Sequence, residues 1–322
     1  MDYVKPCQPL LDALYQHSKS YSNGGSDYSA TELLNPPRIV QLGKRYKEFC
    51  SIENLSEEDR YDKLVSNMSS FIGTAIHSYI EKMLYRVRED ANTYRYMLEK
   101  RFYEKIEDRY ISGQFDIYFP EKSILYDIKT TGAWNMVFSK EDHLTKWEQQ
   151  MNIYRYLMSC GSRFKEALDV SSGKVVAIYT DWSKATATQS GDYPNTRFEE
   201  FNINIWDIAE SKNFLEGLIK HHSLYEDVPD DELPECTDND TWRKPNTWAV
   251  YTVDSSGCAS KKAKKLFKED SGETEDDAKK YLTTVLGGNG VVVFRPGEYI
   301  RCENFCDYKY FCNQYKRTHD GK

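Results

Sequence analysis

Asp116, Asp127 and Lys129 are the residues whose types and spacing best fit a chemical role in this chain. They stand in Gly113-Gln-Phe-Asp116 and in Asp127-Ile-Lys129. Phe115, Ile117 and Phe119 alternate with Asp116 and Tyr118, Pro120-Glu-Lys-Ser123 reads as a turn, and Ile124-Leu-Tyr-Asp-Ile-Lys129 alternates again. That pattern predicts two adjacent antiparallel strands. A hairpin of this length brings the two aspartates to one end. Side chains two apart share a face, so Asp127 and Lys129 point together while Ile128 anchors on the opposite side. Two carboxylates and an ammonium then converge. Hard oxygen ligands suit Mg²⁺ or Mn²⁺, and such an ion acidifies bound water and neutralises charge on a phosphate. Lys129 suits three tasks: positioning the attacking water, deprotonating it, or binding the phosphate. Taken alone, this spacing also describes many solvated strands.

Two further groups bracket the hairpin. Upstream, Gly73-Thr-Ala-Ile-His77 opens a stretch in which Ile76, Ile80 and Leu84 recur at helical spacing, setting His77 beside the apolar stripe. Downstream, Gln150 and Tyr154 stand at i and i+4, on one face of a predicted helix. In order, G-x-x-x-H, G-x-x-D, D-x-K and Q-x-x-x-Y resemble the RecB-type nucleases of the PD-(D/E)XK superfamily, over residues 28–226. That family includes helicase-linked recombination nucleases, CRISPR-associated adaptation nucleases and many phage exonucleases.

The resemblance implies His77, Asp116 and Asp127 as metal ligands, with the Ile128 backbone carbonyl completing the set and Lys129 as the catalytic lysine. Gln150 and Tyr154 would orient the substrate and that lysine. Glu99, on the strand before Asp116, falls where relatives often carry a glutamate near the site; an exposed strand glutamate fits it equally. An imidazole ligand favours transition metals more than carboxylates alone do, so Mn²⁺ should support activity well. The implied activity is hydrolysis of DNA phosphodiester bonds, at single- or double-stranded ends more than at internal sites. Recombination or replication proteins are the implied partners, and a phage or mobile-element role rests on the same analogy.

Cysteine forms a second constellation. Eight cysteines, without a signal peptide or a long apolar run, suggest a reducing cytoplasm where clustered thiols bind metals more often than they form disulfides. Cys302, Cys306 and Cys312 lie within eleven positions and need a fourth ligand to close a tetrahedral or cubane site. The tail looks like that of RecB-type nucleases carrying a C-terminal iron–sulfur cluster, which implies 4Fe-4S; Zn²⁺ satisfies the same thiolates. The usual upstream cysteine is missing, since Asn35-Pro-Pro-Arg38 stands near its place. Cys236, in Pro234-Glu-Cys-Thr-Asp-Asn-Asp-Thr-Trp242, resembles the arrangement in a phage-associated branch and is preferred to Cys50 as fourth ligand. Cys7, Cys160 and Cys258 read as ordinary thiols.

Charge runs against an extensive DNA-binding surface: 43 basic residues face 51 acidic ones, a net charge of −8. The excess is local, however. Glu226 to Asp240 holds eight acidic residues and no lysine or arginine, which accounts for the whole imbalance. With Pro229 and Pro234 it reads as a linker. The 25 tyrosines, within a 14% aromatic share, include candidates for stacking on bases.

These features predict an α/β protein with a central mixed sheet flanked by helices, PD-(D/E)XK-like by resemblance, and a small C-terminal cysteine-cluster module. The expected segments are an N-terminal helix and connection (1–27), a core (28–226), an acidic linker (227–246) and the module (247–322). Within the core, helices are expected over 30–50, 57–90, 139–160 and 206–225, with strands over 95–130, 175–180 and 198–205. The module should hold strands near 247–253 and 290–294 and a helix over 274–286, and Lys261–Lys268 is its basic run. No Walker motif, repeat or membrane span is evident. A non-catalytic DNA-binding scaffold and a nuclease acting on RNA stay open as alternatives.

Overall fold

The alternation around Asp116 and Asp127 is realised as a hairpin inside a larger mixed sheet. The computed structural model describes residues 8–19, 22–51, 53–91, 95–161 and 167–319; Cys7 lies outside them. The chain divides into two units, Met1–Leu233 and Pro234–Lys322. The first contains α1 (Gln8–Lys19), β1 (Tyr28–Ser29), α2 (Ala30–Leu33), α3 (Pro37–Tyr46), α4 (Glu57–Ser66), α5 (Met68–Ala91), β2 (Met97–Ile106), β3 (Arg109–Phe119) and β4 (Ile124–Thr131). It continues through α6 (Ala133–Cys160), β5 (Ser172–Tyr179), α7 (Lys184–Gln189), β6 (Phe198–Ile203) and α8 (Ile208–Ser223).

β3 is the hub of the six-stranded sheet. β2 runs antiparallel along one edge of it, from Met97 opposite Tyr118 to Ile106 opposite Arg109. The other edge is divided, because β1 pairs there in parallel at Ile111 and Ser112 and β4 pairs antiparallel at residues 117–119. Among the described residues, 113–116 therefore have no strand partner on that edge. β4 pairs in parallel with β5 over its whole length, and β5 pairs antiparallel with β6. A parallel neighbour requires a crossover, and α6 supplies it.

α6 packs across the strands and buries Met151, Ile153, Leu157 and Met158 against Phe115, Leu125, Val175 and Ala177. Each apolar side chain of this size, once buried, contributes roughly 1.5–3 kcal/mol, so this seam outweighs local propensity in fixing α6. The helix starts at Ala133, before the expected residue 139, and breaks at Ser139, where φ is −134° and ψ is 30°. Its N-terminus is capped from a distance, by Asp181 Oδ1 accepting from the Ala133 amide at 2.7 Å. Gly161, at φ +64°, ends it in the left-handed conformation that glycine allows.

The helix expected over 30–50 is divided in two. Asn35-Pro36 disfavours a continuous helix, so α2 closes at Leu33 and α3 begins on Pro37. Ser29 caps α2 in a capping box: its hydroxyl accepts from the Glu32 amide at 3.2 Å, and its own amide donates to Glu32 at 2.7 Å. The expected 57–90 helix is likewise interrupted, by Asn67 between α4 and α5.

The acidic stretch divides at Leu233. On its near side, Glu226 accepts from the Tyr28 hydroxyl at 2.7 Å, lies 3.2 Å from Lys44, and pairs with Arg109. Arg45 pairs with Asp230 and donates to the carbonyls of Tyr225, Glu226 and Val228. Arg38, 1% exposed, donates to the carbonyls of Asp230 and Leu233. The excess negative charge is thus partly neutralised by basic residues of α3 and β3.

The second unit contains α9 (Asp238–Thr241), β7 (Arg243–Lys244), β8 (Thr247–Tyr251), β9 (Lys265–Lys268), α10 (Glu275–Thr284), β10 (Val291–Arg295), β11 (Glu298–Tyr299), α11 (Ile300–Asn304) and α12 (Asn313–His319). β10, β8 and β9 form an antiparallel sheet, and β11 pairs with β7. Val250, Phe267 and Ala278 form its buried apolar cluster. Half of the basic run is β9, where Phe267 turns inward and Lys265 lies 4.3 Å from its ring. Among the described residues, no helix is long and apolar enough to cross a membrane.

Candidate active site

Strand register lines up three carboxylates. One step beyond the Ile117–Tyr126 pair, Asp116 falls opposite Asp127, and one step beyond the Leu98–Ile117 pair it falls opposite Glu99. At Glu99 the β2–β3 ladder is interrupted, and pairing resumes at Lys100 with Phe115. Glu99 there adopts a φ of +48°, a conformation costly for a residue with a Cβ. Gln114 holds its carboxylate through a 2.7 Å hydrogen bond.

Asp116 occupies the stretch of β3 without a partner strand, and its Oδ2 accepts from the Ile128 amide at 2.6 Å. Because a residue's N–H and C=O leave a strand on the same edge, the Ile128 carbonyl is presented there too. α5 brings His77 to within 3.5 Å of Asp116, measured from Nδ1 to Oδ2. Gly73, one turn earlier, permits this approach, since a Cβ there would meet the Thr130 hydroxyl at 2.9 Å. His77, Glu99 and Asp116 each place a ligand atom within 4.8 Å of the others, an arrangement able to hold a metal ion.

Asp127 is 2% exposed, and the Lys129 ammonium holds its Oδ2 at 2.8 Å. The clustered His77, Glu99 and Asp116 ligand atoms, beside this buried ion pair, fit a divalent cation. Lys129 also donates to Gln150 Oε1 at 2.8 Å, while Gln150 Nε2 donates to the Tyr154 hydroxyl at 2.6 Å and to Thr31 Oγ1 at 3.3 Å. The two hydroxyls fix the amide so that its carbonyl faces the ammonium.

Burial pushes the Asp127 carboxyl up, Lys129 opposes this, and Asp116 adds to it. Burial also pushes Glu99 up, with Asp116 adding to the shift, to about 7. For Lys129, burial acts downward but the Asp127 and Asp116 carboxylates outweigh it, so the amine is held as an ammonium. His77 is raised likewise, burial being outweighed by Asp116, Asp127 and Glu99. The crowding of like charge is what a bound cation would relieve.

A cavity of about 550 Å³ opens beside these groups, lined by Ser70, Thr74, His77, Glu99, Gln114 and Thr130 among others. Its polar walls leave room for a phosphodiester. Thr31 and Gln114 escaped the sequence reading. Thr31 lies inside the Ser29–Glu32 capping pattern, which marks a helix start and not a neighbour 119 residues away. Gln114 sits within the G-x-x-D motif, where its role was hidden.

Gly113 also serves the site through its missing side chain. A Cβ there would lie 2.8 Å from the Tyr154 ring and 2.9 Å from Leu157. Gly113→Val should therefore displace Tyr154 and lower unfolding free energy by about 1–3 kcal/mol, with chemical denaturation as the check. An unchanged denaturation midpoint would refute this packing role.

Four of the five cysteines of the second unit, all but the exposed Cys258, are brought together. Burial pushes the Cys236 thiol up to about 12, Asp240 adds to this, and Cys312, Cys302 and Cys306 add further through space. Cys302 is likewise pushed to about 12 by burial and then by Cys306 and Cys312. Cys302 lies on α11, Cys306 and Cys312 bracket the turn to α12, and Cys236 precedes α9. Gln314 clamps Cys236 in place, accepting from its amide at 2.9 Å and donating to its carbonyl at 2.8 Å. Trp242 packs on Phe305 with ring centroids 5.3 Å apart, and Arg301 lies 5.7 Å from the indole. Thiols held mutually raised are a poor arrangement without a metal and a fitting one with it. Cys50 is buried in the first unit, where its carbonyl accepts from Lys63 at 2.8 Å.

No family model matches the chain, and no curated protein matches it. Among solved structures, SSO0001 is 22% identical, with a TM-score of 0.43, over 68% of this chain and 88% of its own. A phage-related exonuclease from Haemophilus somnus 129PT is 13% identical, with a TM-score of 0.29, over 61% of this chain and 96% of its own. Likenesses of this size carry no functional argument, which rests on the geometry above.

Proposed function

We propose that this chain is a divalent-metal-dependent deoxyribonuclease with a RecB-type PD-(D/E)XK core, acting at DNA ends. The observation that carries the reading is the row Glu99–Asp116–Asp127 meeting His77 from α5 and Lys129 with its Gln150–Tyr154 support. A non-catalytic scaffold gives no reason to gather the His77, Glu99 and Asp116 ligand atoms beside a buried Asp127–Lys129 pair.

His77, Asp116, Asp127 and the Ile128 carbonyl would hold Mg²⁺ or Mn²⁺, with Glu99 within ligand range. When bound, the cation supplies Lewis-acid neutralisation of the phosphate and a more acidic water. Lys129, kept as an ammonium, serves to hold the phosphate and orient the attacking water rather than to deprotonate it. Gln150 and Tyr154 keep the Lys129 head group in place, and Asp116 fixes the Ile128 peptide. Cys236, Cys302, Cys306 and Cys312 would hold a 4Fe-4S cluster or Zn²⁺.

The test is incubation of purified protein with end-labelled linear and covalently closed circular DNA, single- and double-stranded, in Mn²⁺ or EDTA. Metal-dependent loss of linear DNA, abolished by Lys129→Ala, is the expected result. Equal loss with the variant, or in EDTA, would sink the reading; attack confined to RNA would redirect it.

A further inference from the structure

Directly after the candidate catalytic strand stands a column of three aromatic rings running from core to solvent. Tyr193 at its base is 3% exposed, Trp134 is 40% exposed and Phe138 is 78% exposed. The Trp134 ring lies 5.1 Å from Tyr193 and 5.5 Å from Phe138, the latter pair stacked at 17°. Trp134 and Phe138 are i and i+4 on the short first segment of α6, which ends at the Ser139 break.

The column has a fixed foundation. The Tyr193 hydroxyl accepts from the Ser183 amide at 3.1 Å and donates to the Asp181 carbonyl at 3.4 Å. Asp181 in turn caps α6 at Ala133. A single exposed aromatic needs no explanation, but a pre-stacked pair on a braced support leaves one flat ring face open to water. Thr130 lines the cavity beside His77 and Glu99, and Trp134 is four residues further along the chain.

On the nuclease reading above, we propose that the Trp134–Phe138 pair is a stacking platform for an unpaired base of single-stranded DNA next to the hydrolytic site. Every base offers a π-face, so such a platform grips a strand without reading its sequence. Four residues of chain reach at most about 14 Å from Thr130 in the cavity wall, and that nearness to the proposed hydrolytic site favours a nucleic-acid occupant over a protein one. Stacking releases no counterions, so its loss should weaken binding equally at every salt concentration.

The experiment measures fluorescence anisotropy of a short labelled oligo(dT) with Lys129→Ala protein, in which strand scission does not interfere. Adding Phe138→Leu should weaken binding about tenfold, whereas Phe138→Trp should stay within about twofold of the parent. The slope of log affinity against log salt should be unchanged in both. Affinity unaltered by Phe138→Leu, or a steepness change matching a lost phosphate contact, overturns the platform. So does a shift in oligomeric state with unaltered affinity, which would make the pair an interface between copies of this chain. Failure of the nuclease reading shows separately, as wild-type protein that does not cut.

Discussion

Asp116→Asn is expected to slow DNA hydrolysis by about 10³-fold or more while leaving the fold intact. Asparagine keeps an oxygen to accept from the Ile128 amide, so the local peptide geometry survives. What disappears is the negative charge in the middle of the carboxylate row, facing His77, Glu99 and Asp127. Removing it also relieves repulsion, since Asp116 helps push both Glu99 and Asp127 upward. The thermal midpoint should accordingly hold or rise, a loss of activity without loss of stability. Single-turnover cleavage in Mn²⁺ beside a thermal melt checks both halves. A rate within about tenfold of wild type would remove Asp116 from the metal site.

Cys306→Ala should strip bound iron or zinc from the second unit and unfold it in the same step. Among the described residues, that unit's apolar cluster fully buries Val250, Phe267 and Ala278, with Trp248, Tyr281, Leu282, Leu286 and Val292 partly buried against them, a small core for residues 234–322. Metal–thiolate binding supplies on the order of 10 kcal/mol to small domains of this kind, more than such a core offers. The observable is metal per chain, together with new proteolytic cleavage beyond Pro234. Full metal content in the variant would exclude Cys306 as a ligand. Brown colour in anaerobically purified wild type would assign iron, and colourless protein with stoichiometric zinc the alternative.

Much of the first unit was legible because its signals are local. Period-two alternation on both sides of Pro120–Ser123 dictates the hairpin and, through it, Asp116 opposite Asp127. Helical spacing around His77 and between Gln150 and Tyr154 likewise needs no distant information. The remainder depends on contacts between residues far apart in the chain. Nothing in Thr31 announces Gln150, and nothing in Asp181 announces the start of α6. Glu99 was placed on the right strand, but glutamate carries no preference for a positive φ, so the break in the ladder could not be foreseen. Acidic residues from Glu226 to Asp230 suggest a linker only while their partners, Arg45 and Arg109, are unknown. The cysteine trio was visible in its spacing, whereas the Gln314 clamp on Cys236 was not.

The crossover through α6 also bears on how the candidate site comes into being. His77, Glu99, Asp116, Asp127 and Lys129 are all translated before the amide that steadies Lys129, at Gln150, and before β5, whose last residue is Tyr179. Until then β4 has no neighbour on its second edge, and a long-range parallel pairing is slow to form. A nascent chain that already carries every proposed ligand therefore still lacks a complete candidate site. On the proposed function, no cutting is expected before the chain has been synthesised past Tyr179 of the unit that ends at Leu233.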